Sequence, residues 1–185
     1  MTDPSAHDVA AEIRRQLPGV PVKKLHKLLY YCQGHHLAAF ARPLFAERIS
    51  AWDMGPVVGQ LWWAEQQPTP GRSGADPALG EAELNTVGYV VGRYGRLSGL
   101  DLERLTHSEP PWSNADAERR AQGINSIEIP LSALGDFFSA DDRDAESSDE
   151  PAPDPHVIET WLKAALAQHR SEGSPDTLES VLARL

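Results

Sequence analysis

The chain is poor in the features of secreted and membrane proteins. Its 185 residues include a single cysteine, Cys32, and one thiol cannot form an intramolecular disulfide. No stretch approaches the roughly 20 apolar residues that a membrane-spanning helix requires. The N-terminal segment MTDPSAHDVAAEIRRQL lacks the charged and then apolar pattern of a secretory signal. We therefore expect a cytoplasmic protein that makes no use of a membrane.

The sequence also lacks a convincing metal-binding pattern. His26, His35 and His36 lie close together near Cys32, but zinc needs about four ligands that converge on one point. His35 and His36 are adjacent, so on a helix their side chains point about 100° apart. The histidines are therefore predicted to be surface or hydrogen-bonded residues, and we expect no metal and no other cofactor.

No catalytic constellation is evident either. Thr106, His107 and Glu109 offer a hydroxyl, a base and a carboxylate, but side chains one residue apart on a helix do not face each other. His107 is better explained as a residue that satisfies carbonyl groups at a helix end. The segment GRYGRLSG lacks the lysine and the preceding strand of a phosphate-binding loop. The sequence therefore predicts no catalytic residues and no enzyme.

Negative charge dominates, but the charge is segregated along the chain. The net charge is -10. Seven basic residues and one acidic residue lie between Ile13 and Arg48, whereas eight acidic residues and one basic residue lie between Asp136 and Pro155. The two segments either attract each other or are solvated independently, since exposed charges are screened within about 8 to 10 Å. Clustered basic residues also suit nucleic acid, but the acidic total and the lack of a recognition motif argue against that partner.

Hydrophobic periodicity and helix-breaking residues predict the elements of the N-terminal third. A first helix is predicted from about Ser5 to Leu17, and a long helix from Val22 to Ala41 that ends before Pro43. Leu44 to Trp52 alternates as a short strand does. Gly55-Pro56 is interpreted as the start of a helix from Pro56 to Gln67, because proline is well tolerated in the first helical turn.

The long helix is expected to be amphipathic. Its apolar residues recur with helical spacing and predict one buried face, made of Leu25, Leu28, Leu29, Cys32 and Phe40. The opposite face is predicted to carry Lys23, Lys24, Lys27 and His35.

A loop and a further helix are predicted next. Pro68 to Gly80 is rich in turn-forming residues. Glu81 to Gly95 has helical spacing, although Gly88 and Gly92 each cost about 1 kcal/mol relative to alanine. Because these glycines are four residues apart, they suggest a close contact with another helix.

The following segment is predicted to form a helix, a strand and a last short helix. Ser98 and Asp101 have the spacing of a cap for a helix from Gly99 to His107, which Pro110-Pro111 ends. Ser126 to Pro130 alternates as a strand and is a candidate partner for the Ile49 segment. Leu131 to Phe138 is predicted to be helical.

The fold class predicted from these elements is mainly α with a small β element. Residues 1–138 should form a compact multi-helix domain that includes an N-terminal helix. Residues 139–155 have almost no apolar side chain and are predicted to be an acidic disordered linker. Residues 156–185 carry two apolar helical stripes and are predicted to be a C-terminal helical appendage, which could contact a partner or pair between the protomers of a homodimer.

Three ordered blocks of sequence are specific enough to compare with a known family. They are KLHKLLYYCQG from Lys24, RPLFAERISAWDMGPVV from Arg42 and LSGLDLERLTHSEPPW from Leu97. Together they resemble the Panacea domain of SocA-like antitoxins over roughly Val20 to Phe138. The resemblance assigns a role in the fold to ten residues: Leu25, Tyr30, Gln33, Gly34, Gly55, Pro56, Thr106, His107, Pro111 and Trp112.

The resemblance implies the function of an antitoxin in a bacterial or phage toxin-antitoxin pair. Such a protein neutralises a cognate toxin, encoded next to it, by direct protein contact that occludes the toxin. One alternative is an adaptor that delivers the toxin to a cytosolic AAA+ protease. Another is a DNA-binding autoregulator, whose binding to its own promoter would depend strongly on salt.

Basic and aromatic residues supply a candidate toxin-binding surface. Adjacent rings on a helix cannot both face one narrow core, and exposed Tyr, Trp and basic side chains dominate the energy of many interfaces. A broad core that surrounds both rings is the alternative. The predicted surface comprises Lys23, Lys24, Lys27, Tyr31, Trp52, Trp62 and Trp63.

Overall fold

Seven helices and one small antiparallel sheet make up residues 4–66 and 79–147, the part of the chain that a computed structural model describes. The predicted fold class, mainly α with a small β element, is therefore confirmed. In chain order the elements are α1 (Ala6–Gln16), α2 (Val22–Phe40), β1 (Ile49–Trp52), β2 (Gly55–Val58), α3 (Gly59–Glu65), α4 (Glu81–Tyr94), α5 (Gly99–Ser108), α6 (Pro110–Gln122), β3 (Ile127–Glu128) and α7 (Leu131–Ser147).

Two helices begin at reciprocal side-chain caps. The Ser5 hydroxyl accepts the Asp8 amide while the Asp8 carboxylate accepts the Ser5 amide, and Ser98 and Asp101 repeat this arrangement at α5. Each pair satisfies two amides that a helix start would otherwise leave unpaired. The predicted positions of α1 and α5 are confirmed.

Helix α2 is buried on every side rather than on one face. All residues from Leu25 to His36 are buried, because α1, α4, α5 and β2 all contact this helix. The prediction of an exposed polar face is therefore wrong for Lys27 and His35, and Phe40, expected in the core, is 44% exposed. The polar residues of α2 consequently need partners inside the protein.

Gly55 and Pro56, predicted to begin a helix, lie instead in a β-hairpin. Gly55 has a φ of +104°, a left-handed value that glycine adopts most readily, and the chain reverses so that Trp52 pairs with Gly55. Pro56 then lies opposite Ala51 in β2, an edge strand on which a residue without an amide donor is tolerated. The helix predicted from Pro56 begins instead at Gly59 and includes Glu65 as its last residue.

The sheet has the strand order β2-β1-β3, and both pairings are antiparallel. The predicted pairing of the two separate strand segments is confirmed, since Ser50 pairs with Glu128 and Ala51 with Ile127. Ile49 and Ala51 point into the core. Strand β2 thus packs against α2, and β1 contacts α6.

One helix was not predicted from the sequence, and another is longer than predicted. Helix α6 begins at Pro110 itself, because its two prolines occupy the first helical positions, where no amide donor is needed. Helix α7 continues to Ser147 rather than ending at Phe138, since each residue added to an existing helix brings another backbone hydrogen bond. The predicted linker is therefore helical from residue 139 to residue 147. Residues 148–155 of the linker, the predicted appendage and most of the Pro68 to Gly80 loop lie outside the described residues.

The two glycines of α4 do not mediate a close helix contact. A Cβ atom built on Gly88 or Gly92 would have no neighbour within 4 Å. The close approach is at Gly34 of α2, where a Cβ atom would lie 2.2 Å from ring carbons of Phe138. Here the absence of a side chain lets an aromatic ring of α7 pack directly on the α2 backbone.

We predict that Gly55→Ala lowers the free energy of unfolding by about 1–3 kcal/mol. The added Cβ would lie 2.7 Å from Lys27 Cε, at a φ that alanine adopts only with strain. Gly88→Ala is the matched control and should raise stability by about 0.5–1 kcal/mol, because it removes backbone freedom from a helix interior that has space for a methyl group. Urea unfolding of both variants measures the two changes, and equal effects would contradict the strained conformation at residue 55.

Candidate functional site

A cavity of about 320 Å³ opens between the N-terminal half of α2 and the β1–β2 hairpin. We call it the Lys27 cavity. Its lining comes from α2, the hairpin, α3 and the loop before β3, and consists of Lys23, His26, Lys27, Trp52, Asp53, Met54, Val57, Trp62 and Asn125. It contains four of the seven residues predicted to bind a toxin, namely Lys23, Lys27, Trp52 and Trp62.

Lys27 is the most unusual residue of the cavity, because its charged side chain is only 2% exposed. Its Nζ donates a hydrogen bond to the main-chain carbonyl of Met54. Burial lowers the pKa of Lys27 to about 8, although the Glu103 carboxylate opposes the shift. Among the described residues no carboxylate forms an ion pair with Lys27. Within the described residues this desolvated ammonium group thus has no ion-pair partner, which is an energetically costly arrangement.

His26 adds a second polar group to the same wall. The Val58 amide donates to its Nδ1 over 3.2 Å, and burial lowers the pKa of His26 to about 4, against a smaller opposing effect of Glu65. The ring is thus neutral at pH 7, and because Nδ1 accepts a hydrogen bond, the proton resides on Nε2. Nε2 is buried and has no hydrogen-bond partner among the described residues.

Two tryptophans form the aromatic part of the cavity. The rings of Trp52 and Trp62 lie 6.0 Å apart and nearly perpendicular, and Trp62 also contacts the His26 ring, at 5.8 Å between centroids. Trp52 Nε1 donates to Ser126 Oγ over 3.0 Å. This hydrogen bond ties the hairpin to the loop before β3 and holds the ring in place.

The single acid of the cavity wall is already engaged. The Asp53 carboxylate at the hairpin tip accepts a hydrogen bond from the Arg119 guanidinium, which also binds Asp116 within α6. Arg119 is 4% exposed, and its carboxylate partners raise its pKa. Because Asp53 is paired with Arg119, Lys23 and Lys27 are the charged groups of the described cavity wall that remain available to an acidic group.

The other three predicted binding residues lie away from the cavity. Tyr31 is buried and stacks on Tyr94, at 4.0 Å between ring centroids. Lys24 donates to the Gly95 carbonyl over 2.7 Å, so it joins α2 to the end of α4. Trp63 is 62% exposed. The predicted surface is therefore not continuous. Four of its residues line the cavity, Tyr31 is in the core, Lys24 links α2 to α4, and Trp63 is exposed to solvent.

Nine of the ten family-signature residues are buried, and His107 is half-buried. Gln33 is the clearest example of a structural role: its amide oxygen accepts the backbone amides of Leu44 and Phe45, and its amide nitrogen donates to the Phe45 carbonyl. These three hydrogen bonds hold the chain after α2 against that helix. The spacing of the signature residues thus reflects packing around α2.

A buried carboxylate that the sequence reasoning misjudged lies at the start of α6. Glu109 accepts hydrogen bonds from the hydroxyl groups of Tyr30 and Tyr31, each over 2.8 Å. Burial, with this carboxylate as a second cause, raises the pKa of both tyrosines. The adjacent tyrosines thus both face the core, and the alternative of a broad core that surrounds both rings applies to this pair.

The candidate triad of Thr106, His107 and Glu109 is not assembled. The Thr106 hydroxyl donates to carbonyl groups one turn earlier in α5, and the His107 ring stacks on Trp112 at 3.8 Å between centroids. Glu109 binds the two tyrosines instead. Each of the three side chains has a separate set of partners, and each holds part of the fold together.

The remaining histidines of α2 also bond to the scaffold. His35 Nε2 lies 3.0 Å from the Tyr94 hydroxyl, and His36 Nδ1 lies 2.8 Å from Thr86 Oγ1. Cys32 is fully buried, and its burial raises the pKa of the thiol. Within the described ranges, no group of His, Cys, Asp or Glu side chains is placed to hold a metal ion.

The described domain is thus a helical scaffold with a small sheet and an electropositive, aromatic-lined cavity. Residues 25–113 match the family described as "Antitoxin SocA-like, Panacea domain". The match falls on the sequence blocks from which the resemblance was predicted, so the predicted resemblance is confirmed. The family supports an antitoxin type of function and is typically non-enzymatic. No curated protein and no solved structure matches the chain. In the described portion, none of the helices has the length and apolar character needed to cross a bilayer.

We predict that His26 makes stability fall on acidification. Its pKa is about 4 in the folded protein and near the ordinary 6.5 when unfolded, so between these pH values the unfolded chain binds a proton that the folded ring does not. The stability linked to the neutral His26 ring is fully present above pH 6.5. As the pH falls to 4, protonation of the unfolded chain lowers the free energy of unfolding by roughly 3 kcal/mol.

Urea unfolding at pH 7 and pH 4 measures this contribution. His36 and His107 also have lowered pKa values, so the wild type is compared with His26→Asn, which can still accept the Val58 amide but does not titrate. The variant should lose less stability than the wild type between these pH values. Equal losses would contradict the assignment of a buried, neutral His26.

Proposed function

We propose that this protein is an antitoxin that binds a cognate protein toxin encoded next to it and occludes the toxin's active site. It acts in this role as a binding protein rather than as an enzyme. The docking surface is the Lys27 cavity with its rim. The observation that carries this placement is the desolvated Lys27 ammonium, which lies beside two tryptophans and has no carboxylate partner among the described residues.

The composition of this surface supports a protein partner. Tryptophans and basic side chains are the residues that most often dominate interface energies, particularly where a pocket excludes water. Lys23 is exposed at the rim, Trp52 and Trp62 line the wall, and Trp63 adds an exposed ring in the adjacent position of α3. Lys24 and Tyr31 contribute indirectly, because they hold α2 in place.

Rigid support of the cavity also favours a preformed binding site. The hairpin tip is held by Arg119 through Asp53 and by Lys27 through the Met54 carbonyl. A surface that is ordered before binding loses less conformational entropy on association. The backbone of the cavity wall is therefore in place before a toxin binds.

We predict that Lys23→Glu weakens the complex with the adjacent gene product about tenfold or more, because it places a negative charge at the rim of an electropositive cavity. The matched control is Arg96→Glu, which makes the same charge change at an exposed residue outside the cavity lining. Calorimetry gives the affinity, and rescue of growth during toxin expression gives the neutralisation. Equal effects of the two variants would contradict this docking surface.

Toxin abundance separates occlusion from delivery to a protease. With occlusion, toxin accumulates in a stable complex and its level does not depend on AAA+ proteases. Toxin that disappears in a protease-dependent manner while the antitoxin survives would identify an adaptor instead. Salt-dependent binding to its own promoter, without binding to the toxin, would identify a DNA-binding autoregulator.

A further inference from the structure

Lys27 lacks the interaction that a buried ammonium group needs. It has three donor hydrogens, and the structure supplies one carbonyl acceptor, from Met54. Removing an ammonium group from water costs several kcal/mol unless an opposite charge compensates it. The fold nevertheless holds this group at the wall of an open cavity, so a ligand can supply the missing negative charge.

The nearby acids of the protein do not supply that charge. Asp53 is bound to Arg119, at the tip of the hairpin. Glu65 is paired with Arg14. Glu103 affects Lys27 electrostatically but forms no ion pair with it. Among the described residues, these acids therefore form no ion pair with Lys27, and a carboxylate from another molecule could form one.

His26 independently points to the same kind of ligand. Val58 occupies Nδ1, so the proton of the neutral ring is on Nε2. This donor belongs to a side chain that is 1% exposed, lines the cavity and has no acceptor among the described residues. An unsatisfied buried donor costs about 1–3 kcal/mol, and an oxygen acceptor entering the cavity would remove that penalty.

We propose that the Lys27 cavity is a socket for one acidic side chain, Asp or Glu, of the partner protein. The carboxylate binds between the Lys27 ammonium and His26 Nε2–H, Lys23 adds attraction at the rim, and the Trp52 and Trp62 rings enclose the methylene stem. This assignment rests on the proposed antitoxin function. It adds the chemistry of the toxin element that is recognised.

The first test measures the affinity of full-length variants for the adjacent gene product. Lys27→Met keeps the apolar stem and removes the charge, so it should weaken binding at least tenfold while the urea midpoint of the free protein stays the same or rises. Substitution of a residue with only a structural role would lower both the affinity and the urea midpoint. His26→Asn, which can still accept the Val58 amide, should also weaken binding. His26→Gln, whose amide can replace the Nε2 donor, should retain more of it.

The second test uses the wild-type complex and so does not depend on how well a variant folds. A carbodiimide joins an amine to a carboxylate in contact with it, and mass spectrometry should find Lys23 linked to an Asp or Glu of the toxin. Lys23→Arg keeps the charge but removes the amine, so it should abolish the link. Neutralising the linked acid should weaken binding by itself and have no further effect in the presence of Lys27→Met.

The outcomes separate the two proposals. A wild-type complex whose affinity is unchanged by Lys27→Met, and in which Lys23 forms no link, overturns the acidic socket and leaves the antitoxin function intact. Absence of any complex between the wild-type protein and the adjacent gene product overturns both.

Discussion

Burial of α2 on every side is the constraint on which the rest of the structure depends. A helix without a solvent-facing side must satisfy its polar groups internally, and in doing so α2 fixes its neighbours. Gln33 bonds to the Leu44–Phe45 segment. Tyr30 and Tyr31 donate to Glu109. His35 and His36 bond to Tyr94 and Thr86 of α4, respectively. The family-signature residues therefore mainly pack around this one buried helix.

Lys27 and His26 depart from this rule at the wall of the cavity. Among the described residues, Lys27 has only a carbonyl acceptor and His26 Nε2 has no partner, as is also true of His36 Nε2 away from the cavity. Natural proteins violate internal satisfaction mainly at functional or strained sites. Gly55 connects the two roles, because its left-handed conformation both closes the hairpin and leaves room for the Lys27 side chain. The position that requires glycine thus lies beside the candidate site.

Local signals were sufficient for much of the architecture. The caps at Ser5 and Ser98 depend on side chains three residues away, and the strand alternation at Ile49 depends on one buried face. Such features can be predicted because cause and effect lie within a few residues. The hairpin at Gly55-Pro56 could not be predicted in this way, since the same dipeptide suits a helix start and an edge strand. Only pairing with β1 decides between them.

The sequence by itself determined the family resemblance, the class of fold and the positions of α1, α2, α4 and α5, because periodicity, caps and signature blocks are local properties. It also predicted one binding surface that includes Lys23, Lys27, Trp52 and Trp62, four residues that line a single cavity. Only the tertiary structure decided which of these side chains are buried. Helical spacing places Lys27 on a polar face, but exposure depends on which distant elements pack there. Enclosure of that face turned an expected surface lysine into a desolvated charge beside two tryptophans.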